Sequence, residues 1–270
     1  MADPEELRAA QRRAWDGPAG DLWSVLADWF ERGVADYDEA YLAAVDAGPA
    51  DRVLDVGCGP GALTLAIARR AGSVTGIDLS HRVLELARTR AGGADVTFRV
   101  ADAETDDLGE DAYDLVVSHF GTMFFADPVA AFTNLRRALR PGGRLVLLVW
   151  QSRAANPWLV SVLETLGAPA LPPDEGPSPF GLSDPARTEA VLTAAGFVDV
   201  VVEPRVGSMW FGEDVDDAAR HLEVQHAALL GGLDADDRER ALERLRGDLA
   251  AHRGAAGVAY DSAVWLVTAR

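Results

Sequence analysis

The sequence predicts an α/β fold built on a mostly parallel sheet with helices on both faces. Three observations predict it. Between residues 51 and 150, short β-branched runs alternate with runs of helical period, and parallel neighbours need such crossover helices. A glycine-rich turn, "VGCGPG" at 56–61, directly follows the first apolar run, and acids stand at or near the ends of the first three strands, at Asp55, Asp78 and Asp102.

Taken in order, residues 1–50 form a helical cap, whose helices carry Trp15, Trp23, Trp29 and Phe30 and lie over one end of the sheet. The central block runs "RVLDVG" (strand), "ALTLAIARRAG" (helix, closed by Gly72), "SVTGIDLS" (strand) and "HRVLELARTRAGG" (helix). Strands "DVTFRVAD" and "YDLVVSHF" follow, separated by an acidic loop, then a helix "DPVAAFTNLRRALRPGG" and a strand "RLVLLVW". In that helix Asp127 caps the N-terminus, Pro128 suits the first turn and Pro141-Gly142-Gly143 ends it. Val129, Phe132, Leu135 and Leu139 recur at helical spacing and should face the sheet. Residues 167–185 hold six prolines in nineteen positions and predict an irregular loop. A helix near 185–195, a strand "VDVVVEPR", charged helices at 213–253 and a closing strand "SAVWLVTAR" complete the chain. No internal repeat is visible. The expected organisation is one domain over 1–270, with a cofactor-binding half at 51–150 and a substrate-side half at 151–270 into which the 213–253 helices are inserted.

Composition narrows the function. The 270 residues are 49% hydrophobic, without an apolar run near the roughly 18 residues of a membrane span. The N-terminus "MADPEELRAAQRRAW" has no apolar signal region, so a soluble, cytoplasmic protein is expected. A single cysteine, Cys58, excludes an internal disulfide framework and a cysteine-based zinc site. The net charge of −18 repels nucleic-acid phosphates and anionic membrane surfaces. A small-molecule partner is therefore expected, with neither nucleic acid nor membrane insertion.

The glycine turn then selects the cofactor. A dinucleotide turn needs G-x-G-x-x-G; here Gly57, Gly59 and Gly61 give G-x-G-x-G. Asp55, two residues earlier, would repel a diphosphate in a partly dry cleft and favour a cation. S-adenosylmethionine satisfies both facts: it has no phosphate and carries an ammonium and a sulfonium. The chain contains no lysine, which excludes a phosphate-binding P-loop. Asp78 lies 21 residues after Gly57, the spacing of an acid that holds ribose hydroxyls, although this fits a dinucleotide equally well. Asp102 could accept from an adenine amino group while the Ala103 backbone reads the ring edge.

On these residues the sequence resembles the class I S-adenosylmethionine-dependent methyltransferases. Asp55 with Gly57–Gly61 matches that family's first motif, Asp78 its ribose acid, Asp102-Ala103 its adenine contact, and "LRPGGRLVLLVW" the turn into its fifth strand. "AWDGPAGDLW", "FGTMFFADPVAAF" and "NPW" are similar to a bacterial small-molecule branch related to quinone-pathway C-methyltransferases. The resemblance implies a Rossmann-like sheet of seven strands, the last antiparallel. It further implies S-adenosylmethionine as cofactor and S-adenosylhomocysteine as product. Beside the motif residues, Cys58, Leu79, Ser118, His119 and Trp15 are expected to contact the cofactor, Ser118 and His119 because they end the fourth strand.

The acceptor should lie beyond the fourth strand, where His119, Phe120, Gly121, Thr122, Met123, Phe124 and Phe125 follow. With Trp15, Trp23, Trp150, Trp158 and Trp210 these residues make either plain core or an apolar wall for an aromatic or lipophilic acceptor. Methyl transfer depends chiefly on alignment, so a base is optional. His119 is the candidate base, its alternative being simple packing against the cofactor. Glu223 and His226 share a helix face and are either a roof over the pocket or a polar pair. His221 and His226, five apart, do not have the spacing of a zinc pair, and no metal is expected. The resulting expectation is transfer of a methyl group to O, N or C of a small, largely apolar metabolite, by a monomer or homodimer. Three rivals stay open: a scaffold enzyme catalysing cyclisation or isomerisation, a non-catalytic cofactor-binding subunit, and a dehydrogenase.

Overall fold

The computed structural model of the chain describes residues 3–169 and 176–270. Helices α1 (Pro4–Trp15), α2 (Pro18–Val25), α3 (Ala27–Gly33) and α4 (Asp38–Val45) precede the sheet. The central block is β1 (Arg52–Val56), α5 (Ala62–Ala68), β2 (Ser73–Asp78), α6 (His81–Ala91), β3 (Val96–Val100), β4 (Tyr113–His119), α7 (Pro128–Ala138) and β5 (Leu139–Trp150). Then come α8 (Pro157–Thr165), α9 (Pro185–Ala194), β6 (Val201–Gly212), α10 (Val215–Gln225), α11 (Ala227–Gly231), α12 (Ala235–Ala251), β7 (Arg253–Gly254) and β8 (Gly257–Ala269).

The main sheet runs β3-β2-β1-β4-β5-β8-β6. The first five strands are mutually parallel, and β8 is antiparallel to both of its neighbours. The α/β architecture with an antiparallel last strand is therefore present. An eighth strand, the two-residue β7, hairpins onto β8 and lay outside the expected seven. Strands β1, β4 and β5 are apolar almost throughout, as strands covered on both faces must be: Val53, Leu54, Val116, Val117 and Leu145–Val149 are at most 1% exposed.

Two local expectations change. The helix α7 ends at Ala138, three residues before Pro141, and Pro141-Gly142-Gly143 instead lies within β5. Gly142 sits at φ +78° where the β4–β5 register shifts, so the glycine forms a bulge rather than a helix stop. Val129 faces outward on α7, whereas Phe132, Leu135 and Leu139 are buried against the sheet. The expected strand at 198–205 begins only at Val201 and continues to Gly212. In the proline-rich loop, residues 170–175 lie outside the described residues, and the stretch from Gly176 to Asp184 contains neither helix nor strand.

Candidate functional site

Strand order reverses between β1 and β4, and the loops leaving their C-terminal ends cross there. Gly57, at φ +67°, would bring a Cβ within 2.9 Å of Gly121 Cα, and a Cβ on Gly121 would stand 2.7 Å from the Val56 carbonyl oxygen. Only glycine lets two backbones meet this closely. Behind the crossing, buried Ser118 donates its hydroxyl to Val56 O at 2.7 Å. Ser118 does not line the cavity in front, contrary to its expected place beside the methyl group.

The glycine turn is tied to β2. Gly57 and Cys58 N–H both donate to Ile77 O, at 2.8 and 3.0 Å, and Gly59 N–H donates to Asp78 Oδ2 at 3.1 Å. The other Asp78 oxygen accepts from Ser80 N–H at 2.9 Å, so this acid organises the turn it was expected to serve. Gly59, at φ +54°, has open space where a Cβ would stand. Gly61 is instead spent on packing: at φ +86° its missing Cβ leaves room for Phe98 and Ala87, and it does not line the cavity. The Cys58 thiol lies against Gly76, and burial pushes its pKa upward, which makes it a filler rather than a nucleophile.

Asp55 is 3% exposed and accepts from Thr64 Oγ1 at 2.6 Å. Desolvation is the largest effect and raises its pKa to about 6; the Thr64 hydrogen bond opposes this and Asp78 adds to it. Among the described residues no cation pairs with this buried carboxylate.

Asp55, the turn Gly57–Gly59 and Asp78 border one cavity of about 490 Å³, within the roughly 300–1,000 Å³ usual for small-molecule sites. One part is lined by Asp55, the turn Gly57–Pro60, Asp78, Leu79 and the segment Ala101–Glu104. Asp102 is more engaged than expected: Oδ2 accepts from Arg12 Nε at 3.0 Å and Oδ1 from Glu104 N–H at 2.9 Å. Asn134 of α7 donates to the Ala103 and Asp106 carbonyls, both at 2.9 Å, and holds this loop in place.

The other part is aromatic. Trp23 stacks on Phe30 with centroids 4.3 Å apart, and Phe120 stacks on Trp150 at 4.4 Å. Trp15 meets Phe124 edge-on at 5.0 Å, and Met123, Trp158, Leu159, Met209 and Phe211 extend the wall. Phe120 holds φ +60°, a strained conformation for a bulky residue, fixed by its N–H to Leu148 O at 2.9 Å and by the Trp150 stack. Trp210 lies outside the cavity, its indole N–H on Ala256 O and its ring under Arg32 at 3.9 Å. His226 also lies outside, at the end of α10, and Glu223 is paired with Arg238 and Arg246. His221 stacks on Trp29 at 5.4 Å. Among the described residues no group of three or more His, Cys, Asp or Glu is placed to hold a metal.

His119 lines the cavity, edge-on to Tyr41 and Phe120, with Nε2 3.5 Å from Asp38 Oδ1 and without a hydrogen-bond partner. Burial lowers its pKa to about 3, so the imidazole stays neutral near pH 7. A group that resists protonation to this degree is a poor general base, and the geometry makes His119 a neutral wall residue instead. Sequence reasoning missed Glu31, Asp38, Gln225 and Arg8, which also line the cavity. The available signal was "WFERGVADYD", acids set among the aromatics of the cap.

A family model described as a methyltransferase domain matches residues 54–147, from β1 into β5. An uncharacterized protein of Mycobacterium tuberculosis, Rv1405c, is 32% identical over 150 residues, covering 55% of this chain and 53% of that protein. The aklanonic acid methyltransferase DauC of Streptomyces sp. strain C5 is 37% identical over 101 residues, 35% of this chain and 46% of that enzyme. The chain thus spans about half the length of the curated relatives it matches. Among solved structures, phosphoethanolamine N-methyltransferase 2 of Haemonchus contortus, in complex with S-adenosyl-L-methionine, superimposes with a TM-score of 0.57 at 19% identity. That match covers 100% of this chain and 60% of the other. The matched segment, residues 54–147, carries the acid, the glycine turn and the strand order described above, and over that segment the chain is similar to a methyltransferase domain.

Proposed function

We propose that the chain moves the methyl group of S-adenosylmethionine to a small, largely apolar or aromatic acceptor. The observation that carries this reading is the single cavity whose glycine-turn part is lined by acids and whose remaining wall is aromatic. The residues fit the cofactor: Gly59 leaves open space on the turn, and the acids there favour a cation over a diphosphate.

In this reading Asp55 and the turn Gly57–Gly59 hold the methionine part, Asp78 and Leu79 the ribose, and Asp102 and Ala103 the adenine, with Arg12 sharing Asp102. When bound, the cofactor supplies an activated methyl group on a sulfonium. The chain's contribution is alignment and exclusion of water: Phe120, fixed by Trp150, and the Trp23–Phe30 stack hold an acceptor against the end of β4. Well-oriented partners gain roughly 7–11 kcal/mol from such positioning. His119 forms part of the wall as a neutral group. The cap at 1–50 and the inserted helices at 213–253 enclose the acceptor, the former through Trp23 and Phe30 and the latter through Gln225.

The test is incubation with S-adenosylmethionine and a panel of aromatic acceptors. The expected outcome is a product heavier by one CH2 together with S-adenosylhomocysteine, seen by mass spectrometry. A product of unchanged mass, with the cofactor intact, would contradict the reading.

A further inference from the structure

The cofactor reading leaves two carboxylates of the same cavity unused, Glu31 on α3 and Asp38 at the start of α4. They are not equivalent. Glu31 is matched by Arg90 of α6, whose Nη1 donates to both of its oxygens at 2.8 and 3.0 Å and which also binds Asp28. Asp38 has no Arg partner among the described residues. Its one ion-pair contact is His119 Nε2 at 3.5 Å, a ring nitrogen that burial keeps uncharged. Asp38 is half-buried, its side chain 35% exposed, and desolvation with the nearby Glu31 raises its pKa to about 6, which leaves it mostly ionised at pH 7. A partly dry anion without a partner, facing a ligand cavity, is complementary to a cation.

The surroundings favour one kind of cation. The faces of Trp23, Phe30, Phe120 and Trp150 suit an aromatic body and also attract positive charge. Among the described residues Arg8, at the Glu104 end, is the one Arg that lines the cavity, so none of them beside Asp38 would neutralise a carboxylate or phosphate on the acceptor.

Resting on the methyltransferase reading, we propose that the acceptor is a lipophilic or aromatic amine whose nitrogen is bound by Asp38 beside His119 and is the atom methylated. The amine enters as R–NH3⁺ and passes one proton to the Asp38 carboxylate. The freed lone pair forms the new N–C bond as the C–S bond breaks, its electron pair leaving with sulfur. The products are R–NH2⁺–CH3 and a neutral thioether, and the proton on Asp38 returns to solvent.

Calorimetry on the protein loaded with S-adenosylhomocysteine tests this, with tryptamine, tryptophol and indole-3-acetate as probes that share one ring system and differ in charge. Tryptamine should bind at least tenfold more tightly than tryptophol, and indole-3-acetate more weakly than either. Asp38→Asn should remove the preference while leaving S-adenosylhomocysteine affinity within about twofold. Equal binding of the three probes, no binding of tryptamine, or a preference that survives in Asp38→Asn would overturn the proposal. A loss of S-adenosylhomocysteine binding in Asp38→Asn would overturn it too, by assigning the residue to the cofactor's own ammonium. Failure of the wild type to bind S-adenosylhomocysteine would instead count against the methyltransferase reading beneath it.

Discussion

Gly57 and Gly59 sit two residues apart in one turn, both with positive φ, yet the structure gives them different work. A methyl at Gly57 meets the Gly121 backbone at 2.9 Å, whereas one at Gly59 meets no protein atom within 4 Å. Gly57→Ala should therefore damage the fold, lowering the melting temperature by several degrees. Gly59→Ala should cost only about 1 kcal/mol of backbone strain but obstruct the ligand, so it should melt near the wild type and lose at least tenfold in S-adenosylhomocysteine affinity. Thermal melting paired with calorimetry separates the two. Asp55 adds a pH dependence with a definite sign. Its pKa in the fold, about 6, lies above its ordinary value, so the fold prefers the protonated acid. That contribution to the stability of the free protein is present below about pH 4 and is lost as pH rises through 6. A bound cation has the opposite preference and requires the ionised form. These residue roles were unequally legible in sequence. The glycine spacing and Asp55 could be read because the motif is local, whereas the burial that neutralises His119 depends on Tyr41, nearly eighty positions away.

At the scale of elements, helix α1 docks through polar contacts at the cavity's rim, whereas α3 and α4 bury Trp29, Phe30, Tyr41 and Val45. Helix α1 has no buried residue and is held by Arg12 on Asp102 and Arg8 near Glu104. Asp16, just after it, accepts from both His81 N–H and His81 Nδ1. The close contact is at Gly20 of α2, where a Cβ would stand 2.0 Å from Trp15 O and 2.4 Å from Ser80 Oγ. Gly20→Ala should push α2 away from α6, at a cost of about 1–3 kcal/mol. The expected readout is a fall of roughly 2–4 °C in melting temperature per kcal/mol, with faster hydrogen exchange confined to residues 3–33. Unchanged exchange there would refute this account of the docking. The strands and helices of 52–150 were legible because each presents a clear period of 2 or 3.6 against the sheet. The end of α7 was not, since Pro141-Gly142-Gly143 reads as a helix stop and only the β4 register shows it to be a bulge. The cap helices α2 to α4, of seven or eight residues, are too short for their periodicity to separate the cavity-facing acids Glu31 and Asp38 from solvent-facing ones.

For the whole molecule, the parallel strands β1, β2, β3 and β4 end on one edge, and the reversal of order at β1 and β4 opens the crevice. The cap closes it with Trp23 and Phe30, and the inserted helices add Gln225. The architecture of the sheet could be anticipated from alternation alone, but the shape of the acceptor region could not, because it is assembled from α2, α3, α8, α10 and β6, elements far apart in the chain. Among the described residues no helix is long and apolar enough to cross a membrane. The account depends on a buried acid beside a glycine crossing that selects a sulfonium cofactor over a diphosphate. Calorimetry of S-adenosylmethionine and NAD against the wild type and Asp55→Asn, at pH 7.5 and pH 5, tests it most directly. The wild type should bind S-adenosylmethionine but not NAD, lose affinity as pH falls through about 6, and lose at least tenfold at pH 7.5 in Asp55→Asn, whose residual binding should no longer depend on pH across this range. Binding of NAD in preference to S-adenosylmethionine, or an affinity indifferent to both pH and the substitution, would contradict it.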